Sequence, residues 1–233
     1  METKNINLSI KVFSFDKIND ISSIIIIGSR GSGKSWIIRE ILTYFKDIPK
    51  SIISPSEKNT FFYDKSDINS YNTYDNVIIE NVFAEQEIIR KKQNLLENKI
   101  DTRKILILDD CLCNNKIIKN KTFTQLVLNG RSAKIMYILA TQYSLGFPPD
   151  LRENFDYIFL LGTDLLSEIK RNYEYYGKIF PSFEIFRQIF RQLTENYGVM
   201  IIDNRNKNAN FLDSIYWYKV LKKQLNIYDE RKN

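Results

Sequence analysis

The sequence predicts an α/β chain: a mostly parallel central sheet flanked by helices, plus a C-terminal helical and strand extension. Three observations predict it. Short aliphatic runs alternate with helix-period segments, one of those runs passes directly into Gly28-Ser29-Arg30-Gly31-Ser32-Gly33-Lys34-Ser35, and the alternation gives way to a different pattern beyond Thr163. No repeat and no Pro-, Gly- or Ser-rich linker divides the chain. A single unit is therefore expected, with a core over 1–163 and the extension, 164–233, packed on it.

The elements follow in order. Ile6 to Phe13 alternates as a strand, and Ile21 to Ile27 is an aliphatic run of the kind found in a central strand buried on both faces. A helix is expected from Lys34 to Phe45, with Trp36, Ile37, Ile41, Leu42 and Phe45 on its apolar side. Ser51 to Ser54 reads as a strand closed by Pro55, Asn76 to Asn98 as a long polar helix, and Lys104 to Leu108 as a third buried strand. After a helix over Lys121 to Leu128 come a strand at Lys134 to Ala140, a turn marked by Gly146, Pro148 and Pro149, and a strand at Asp156 to Leu161. The extension reads as two helices, Asp164 to Tyr176 and Ser182 to Asn196, then strands at Gly198 to Ile202 and Ser214 to Tyr218. Its many Tyr and Phe residues are read as packing it onto the sheet, with base stacking as the alternative.

Composition removes whole classes of chemistry. Among 233 residues there is no histidine. Ser-His-Asp and Cys-His catalysis and His-ligated zinc or haem are excluded, leaving carboxylates, lysine, arginine, hydroxyls or a bound metal. Cys111 and Cys113 are too close for an ordinary disulfide, and as C-x-C without a second pair they read as structural. No secretory leader opens the chain, so a reducing, intracellular setting is expected. The aliphatic run Ile24 to Ile27 is far short of the ~20 residues of a membrane helix, and no membrane association is expected. A formal charge of +6 and a pI near 9.1 favour a polyanionic partner without identifying it.

The octapeptide fits G-x-x-x-x-G-K-[ST], after a strand and before a helix. Its glycines let backbone N–H groups point inward, and the loop feeds the positive end of a helix, so a triphosphate meets aligned donors. Lys34 is placed to reach the β and γ phosphates and Ser35 to hold Mg²⁺. Gly28, Ser29, Arg30, Gly31, Ser32, Gly33, Lys34, Ser35 and Trp36 form the candidate ATP-binding segment. Such a pattern arises by chance in a chain this long with a probability on the order of 1%.

A phosphate loop of this kind needs an acid at the end of a neighbouring strand, and Ile105-Leu106-Ile107-Leu108-Asp109-Asp110 supplies two. Asp109 is the metal-side carboxylate, and Asp110 is placed to polarise a water against the γ phosphate. A second acid points to hydrolysis by water and away from transfer to a bound acceptor, as in a small nucleotide kinase. Thr141-Gln142 closes the next strand, which makes Gln142 the candidate sensor of nucleotide state.

From Cys111 to Pro149 there is no Asp or Glu, while Lys116, Lys119, Lys121, Arg131 and Lys134 fall within the stretch. This local basic surface begins directly after the acids and suits a phosphate backbone. Arg131 is a candidate finger for the γ phosphate of a neighbouring subunit, with Arg30 and Arg152 as competitors.

At these residues the chain resembles the DNA-packaging ATPases of poxviruses and nucleocytoplasmic giant viruses, within the FtsK/HerA division of P-loop motors. The likeness covers nearly the whole chain. It rests on the segment from Gly28 to Trp36, Ile53-Ser54-Pro55-Ser56-Glu57-Lys58, Leu108-Asp109-Asp110-Cys111, Asn129-Gly130-Arg131, Ala140-Thr141-Gln142-Tyr143 and Pro148-Pro149-Asp150-Leu151-Arg152-Glu153-Asn154. Phe180-Pro181-Ser182-Phe183, Thr194-Glu195-Asn196-Tyr197 and Tyr216-Trp217-Tyr218-Lys219 resemble the giant-virus branch. The resemblance implies a RecA-like fold, ATP hydrolysis with Mg²⁺ and a homo-oligomeric, hexamer-like ring. It further implies translocation of double-stranded DNA into a preformed capsid, with capsid or portal components as partners, in the host cytoplasm and the virion. By matching positions, Lys34 and Ser35 are the Walker A residues, Asp109 and Asp110 the Walker B pair, Gln142 the sensor and Arg131 the finger. Two departures stand out: Ser132 occupies a position that is often His in relatives, and Asp110 stands where many motors carry the longer Glu. A nucleotide-dependent DNA-binding scaffold that does not translocate is the rival from another class.

Overall fold

The aliphatic run Ser23–Ile27 forms strand β2, and every residue of it is buried. The computed structural model describes residues 10–19, 21–55, 68–95, 102–111, 115–206 and 210–219. Among these residues β2 sits in the middle of a nine-stranded sheet. The other strands are β1 (Lys11–Val12), β3 (Lys50–Ile53), β4 (Ile68–Tyr71), β5 (Lys104–Asp109), β6 (Ile135–Thr141), β7 (Tyr157–Leu161), β8 (Gly198–Asp203) and β9 (Ile215–Lys219). Their order across the sheet is β1-β9-β8-β7-β2-β6-β5-β3-β4. From β7 to β4 all neighbours are parallel. β8 then runs antiparallel to β7, and β9 antiparallel to β8, with β1 parallel to β9 at the edge. The mostly parallel α/β architecture expected from the alternation is the one found.

Successive strand residues point to opposite faces, so an unbroken aliphatic strand supplies two cores. Ile25, Ile27, Leu106, Leu108, Leu139 and Leu160 belong to one. Ile24, Ile26, Ile105, Ile107, Ile138 and Phe159 belong to the other. The helices divide unequally between them. Six pack on the first face: α2 (Asn76–Leu95), α3 (Asn115–Ile118), α4 (Lys121–Asn129), α5 (Pro149–Arg152), α6 (Leu166–Tyr176) and α7 (Phe183–Leu193), contributing among others Ile79, Phe123, Leu151, Ile169 and Phe186. The second face is covered by α1 (Lys34–Tyr44), through Ile37, Ile38 and Ile41, together with Phe13 and Ile18 of the N-terminal segment. Phe13 meets Tyr157 and Phe159 edge-on at 5.5 and 5.6 Å between ring centroids, a favourable quadrupole arrangement.

Most expected elements form with ends shifted by a residue or two, and the larger differences have local causes. The strand expected from Lys134 begins at Ile135 because Lys134 has φ 56°. The turn at Pro148 and Pro149 carries a one-turn helix with proline at its start, where a missing N–H costs nothing. The helix expected to reach Asn196 stops at Leu193, and Asn196 and Tyr197 adopt left-handed φ values of 51° and 64°. β4 and α3 were not expected at all. The first strand is short, Lys11–Val12. Ile6 to Ser9, Ser56-Glu57-Lys58, the helix end Leu96 to Asn98 and Cys113 lie outside the described residues. Phe180, Phe186 and Phe190 are buried at 3% exposure or less, so these aromatics of the extension are core.

The Tyr218 hydroxyl of β9 donates to the Glu40 carboxylate of α1, tying the extension to the helix that follows the phosphate loop. Burial raises the Glu40 carboxyl above the ordinary carboxylate range, against the opposing pull of the Tyr218 hydrogen bond. With a folded value above the unfolded one, the folded chain holds the proton more tightly. The associated stability is complete below the unfolded value and is lost as pH rises through the folded one. Glu40→Gln should therefore stabilise the chain relative to wild type at neutral pH, by a margin that shrinks as pH falls toward about 4. Urea denaturation at a series of pH values measures that margin.

Candidate functional site

Because β2, β5, β6 and β7 are parallel, their C-terminal ends lie on one edge of the sheet, and the predicted site residues follow those ends. Ile27 is in register with Thr141 and with Leu160, and Asp109 with Ala140. The Gly28 N–H donates to the Thr141 carbonyl at 3.1 Å, and the Asp110 N–H to the Ala140 carbonyl at 3.0 Å. Pairing thus carries the phosphate loop, both acids and Gln142 onto one edge.

The loop has the curvature the motif requires. Gly33 has φ 106° and caps α1 without a side chain, a conformation that glycine adopts freely. An added Cβ on Gly28 would meet Ser32 Oγ at 2.5 Å and Leu161 Cβ at 2.8 Å, so the loop closes on itself there. Lys34, the first residue of α1, is buried at 6% exposure, and its ammonium donates to the carbonyls of Gly28 at 2.8 Å and Ser29 at 3.3 Å. The same nitrogen lies 3.7 Å from Asp110 Oδ1. Gln142 Nε2 donates to the other oxygen, Oδ2, of Asp110 at 3.3 Å. Lys34, Asp110 and Gln142 are thereby linked as one network. Asp110 has φ 53°, a strained backbone for a residue other than glycine.

Asp109 is fully buried at the end of β5, and Ser35 lies in the first turn of α1. Carboxylate and hydroxyl oxygens are the hard donors that Mg²⁺ prefers. Ser32 Oγ and Asp110 Oδ1 are buried and make no hydrogen bond among the described residues. A phosphate oxygen and a water would satisfy them, so the residues present fit a magnesium nucleotide. Trp36, the last residue of the candidate segment, carries the Arg39 guanidinium 5.6 Å from its ring centroid.

The arginine candidates separate. Arg30 is exposed in the loop itself. Arg152 stacks on Tyr175 at 4.6 Å. Arg131 precedes β6, at the opposite edge of the sheet, and pairs there with Asp156, which also accepts from the Ser23 N–H at 2.9 Å. Seven residues of β6 separate it from Gln142, about 23 Å of strand. The structure does not bring Arg131 to the phosphate loop of its own chain. Of the basic stretch, Lys119, Lys121, Arg131 and Lys134 are exposed, and the Lys116 side chain lies outside the described residues. Cys111 is buried, in keeping with a structural residue.

Two features of this edge escaped the sequence reading. A cavity of about 190 Å³ beside Gly28 and Gln142 is lined also by Glu168 and Asn172 of α6. A larger cleft of about 850 Å³ runs from Ser29–Ser32 to Gly162–Leu165, Arg191 and Thr194–Tyr197. The signal for the first was Glu168 in the first turn of the helix after β7. For the second it was Asn196-Tyr197-Gly198, a turn sequence at a helix-to-strand junction.

No protein-family model matches the chain. Among curated proteins it is 36% identical over 217 residues to the uncharacterized protein L437 of Acanthamoeba polyphaga mimivirus, covering 89% of this chain and 75% of that one. It is 32% identical over 214 residues to the uncharacterized protein 075L of Invertebrate iridescent virus 6, covering 88% and 80%. The chain belongs to this family of large-DNA-virus proteins. Its fold resembles that of the genome packaging NTPase B204 of Sulfolobus turreted icosahedral virus 2 in complex with AMPPCP. That match has a TM-score of 0.60 at 17% identity over 88% of this chain and all of B204. The relatives are thus proteins of large DNA viruses, the setting to which the motifs pointed, and the fold is one shared with a viral packaging NTPase. Among the described residues no helix is long and apolar enough to cross a membrane.

The close approach at Gly28 gives a direct check of the loop. Gly28→Ala should weaken ATP binding about tenfold or more, equivalent to about 1.4 kcal/mol, because Ser32 or Leu161 must move to admit the methyl group. Calorimetric titration of the variant against wild type reads this.

Proposed function

We propose that the chain is a Mg²⁺-dependent ATPase that drives double-stranded viral DNA into a preformed capsid. It works as a homo-oligomeric, hexamer-like ring engaged with capsid or portal components, in the host cytoplasm where virions assemble. The observation that carries this reading is the network of Lys34, Asp110 and Gln142 at the mouth of the phosphate loop. It joins a cation for the phosphates, a carboxylate for a water and an amide that touches that carboxylate. The name of B204, a genome packaging NTPase, supports the cargo, and the viral relatives support the setting.

In this reading the loop N–H groups and Lys34 bind the β and γ phosphates. Asp110 accepts a proton from the attacking water, and Gln142 orients the carboxylate through its Oδ2. Ser35 and Asp109 would hold Mg²⁺, which neutralises charge on the phosphate oxygens. Lys34 contacts Asp110 and two loop carbonyls at once, so arrival of a γ phosphate draws its ammonium toward a stronger anion and frees the acid. Arg131 lies too far from its own loop to act there. It serves the neighbouring subunit, where such a guanidinium is worth about 10³ to 10⁵ in rate. The exposed Lys119, Lys121 and Lys134 contact the DNA backbone.

Asp110→Asn should retain ATP binding and lower kcat by about 10² to 10⁴, the range for loss of a general base. Turnover equal to wild type, measured with long duplex DNA and Mg²⁺, would refute the assignment. ATP-dependent displacement of a third strand from a triplex distinguishes a motor from a scaffold, since only a translocating ring strips it.

Mixing Arg131→Ala with Lys34→Ala subunits should restore hydrolysis, because a hybrid interface combines an intact loop with an intact guanidinium. Absence of recovery at every ratio, in subunits shown to co-assemble by native mass measurement, rules out the trans role.

A further inference from the structure

The cleft beside the phosphate loop is walled in part by Thr194-Glu195-Asn196-Tyr197, a segment to which no role has been given. We infer that Tyr197 is the stacking platform for the base of the bound nucleoside triphosphate, an assignment that rests on the phosphate-loop reading and extends it to the other end of the ligand.

In the sheet order, β6 and β5 lie on one side of β2, and they carry Gln142, Asp109 and Asp110. β7 and β8 lie on the other side. The phosphate loop is therefore straddled, with the γ-phosphate chemistry on the β6 side. A triphosphate laid along the loop from that end leaves its sugar and base on the β7 and β8 side, where the cleft of about 850 Å³ opens. Ser29 and Arg30 of the loop line it together with Asp164, Arg191 and Tyr197.

The side chain itself is unusual. Tyr197 is 71% exposed, whereas Phe180, Phe186 and Phe190 of the same extension are buried and Tyr173 and Phe183 are half-buried. Tyr44 and Tyr143, also exposed, show less of their surface, 52% and 43%. Tyr197 is held outside by backbone: Asn196 and Tyr197 are consecutive left-handed residues, with φ 51° and 64°. The edge of the ring nonetheless lies beside the loop. A Cβ placed on Gly33 would lie 4.0 Å from Tyr197 Cδ1. An exposed aromatic face adjoining both the phosphate loop and a cleft of this volume suits a planar heterocycle. Every nucleobase presents such a face, so stacking alone gives affinity with little choice among bases.

The test compares a ligand with a base and one without. Affinities of the full chain for ATP and for inorganic tripolyphosphate, both with Mg²⁺, are measured by calorimetry for wild type, Tyr197→Phe and Tyr197→Asn. Asparagine tolerates the left-handed backbone, so the second variant removes the ring without adding strain. Tyr197→Asn should bind ATP about 5- to 100-fold more weakly with tripolyphosphate affinity unchanged, while Tyr197→Phe stays near wild type. Equal ATP affinity in all three overturns the platform and leaves the phosphate site standing. Parallel losses for ATP and tripolyphosphate in Tyr197→Asn assign the residue to loop structure and overturn it as well. A wild-type chain that binds neither ligand removes the phosphate-site reading, and the platform falls with it.

Discussion

Parallel pairing of β5, β6 and β2 is the constraint on which the rest of this molecule depends. Each of the three strands ends in a motif, and only a common direction brings those ends to one edge. The spacing matters as much as the direction. Neighbouring strands lie ~4.8 Å apart, so interposing β6 sets the end of β5 about 10 Å from the end of β2. That gap is wide enough for a phosphoryl group, where direct β2 to β5 pairing would close it. The interposed strand is also the one that delivers Gln142 to Asp110. A slip of one residue in either ladder would move its motif by ~3.3 Å and turn its side chains to the opposite core. The two-faced aliphatic burial of Ile24 to Ile27 and Ile105 to Leu108 prevents that slip.

Lys34 converts this geometry into a loop with a defined shape. A buried ammonium is costly unless several partners compensate for lost water. Two loop carbonyls and the Asp110 carboxylate surround it. The loop is thereby wrapped around its own cation, and the strained φ of Asp110 aims the carboxylate at it. Loop and acid come from strands that do not touch each other, so Lys34 bridges across β6.

The chain displayed its central fold because buried parallel strands have a plain signature, namely aliphatic runs too short for helices and bounded by turn residues. Gly28 to Ser35, the Asp109-Asp110 pair and Gln142 were equally legible, since each directly follows such a run. What was hidden had weaker signals. β4, Ile68–Tyr71, is an edge strand of sequence INSY with two exposed residues, and nothing aliphatic marks it. The end of α7 and the strained pair Asn196-Tyr197 depend on dihedral angles that Asn-Tyr-Gly hints at without fixing. The cleft there is built from four separate segments, and its existence is a property of their packing. Arg131 was recognisable as a candidate, but only the strand length shows that it serves no loop on its own chain.

The extension changes what the phosphate loop is attached to. β8 and β9 continue the sheet beyond β7 in antiparallel sense, and the reversal requires the chain to turn sharply after α7. Gly198 makes that turn feasible, since a Cβ there would fall 2.1 Å from the Leu193 carbonyl oxygen. The turn sets Tyr197 beside Gly33, at the very start of α1, and β9 sets Tyr218 against Glu40, seven residues further along the helix, about 10 Å up its axis. The extension therefore meets α1 at two heights, by proximity at Gly33 and by a hydrogen bond at Glu40. The Tyr218 to Glu40 hydrogen bond joins β9 to the helix that carries Lys34, and the α7 to β8 turn brings Tyr197 to the side of the loop. Segments that a core-plus-appendage division of the sequence would separate thus meet beside the site.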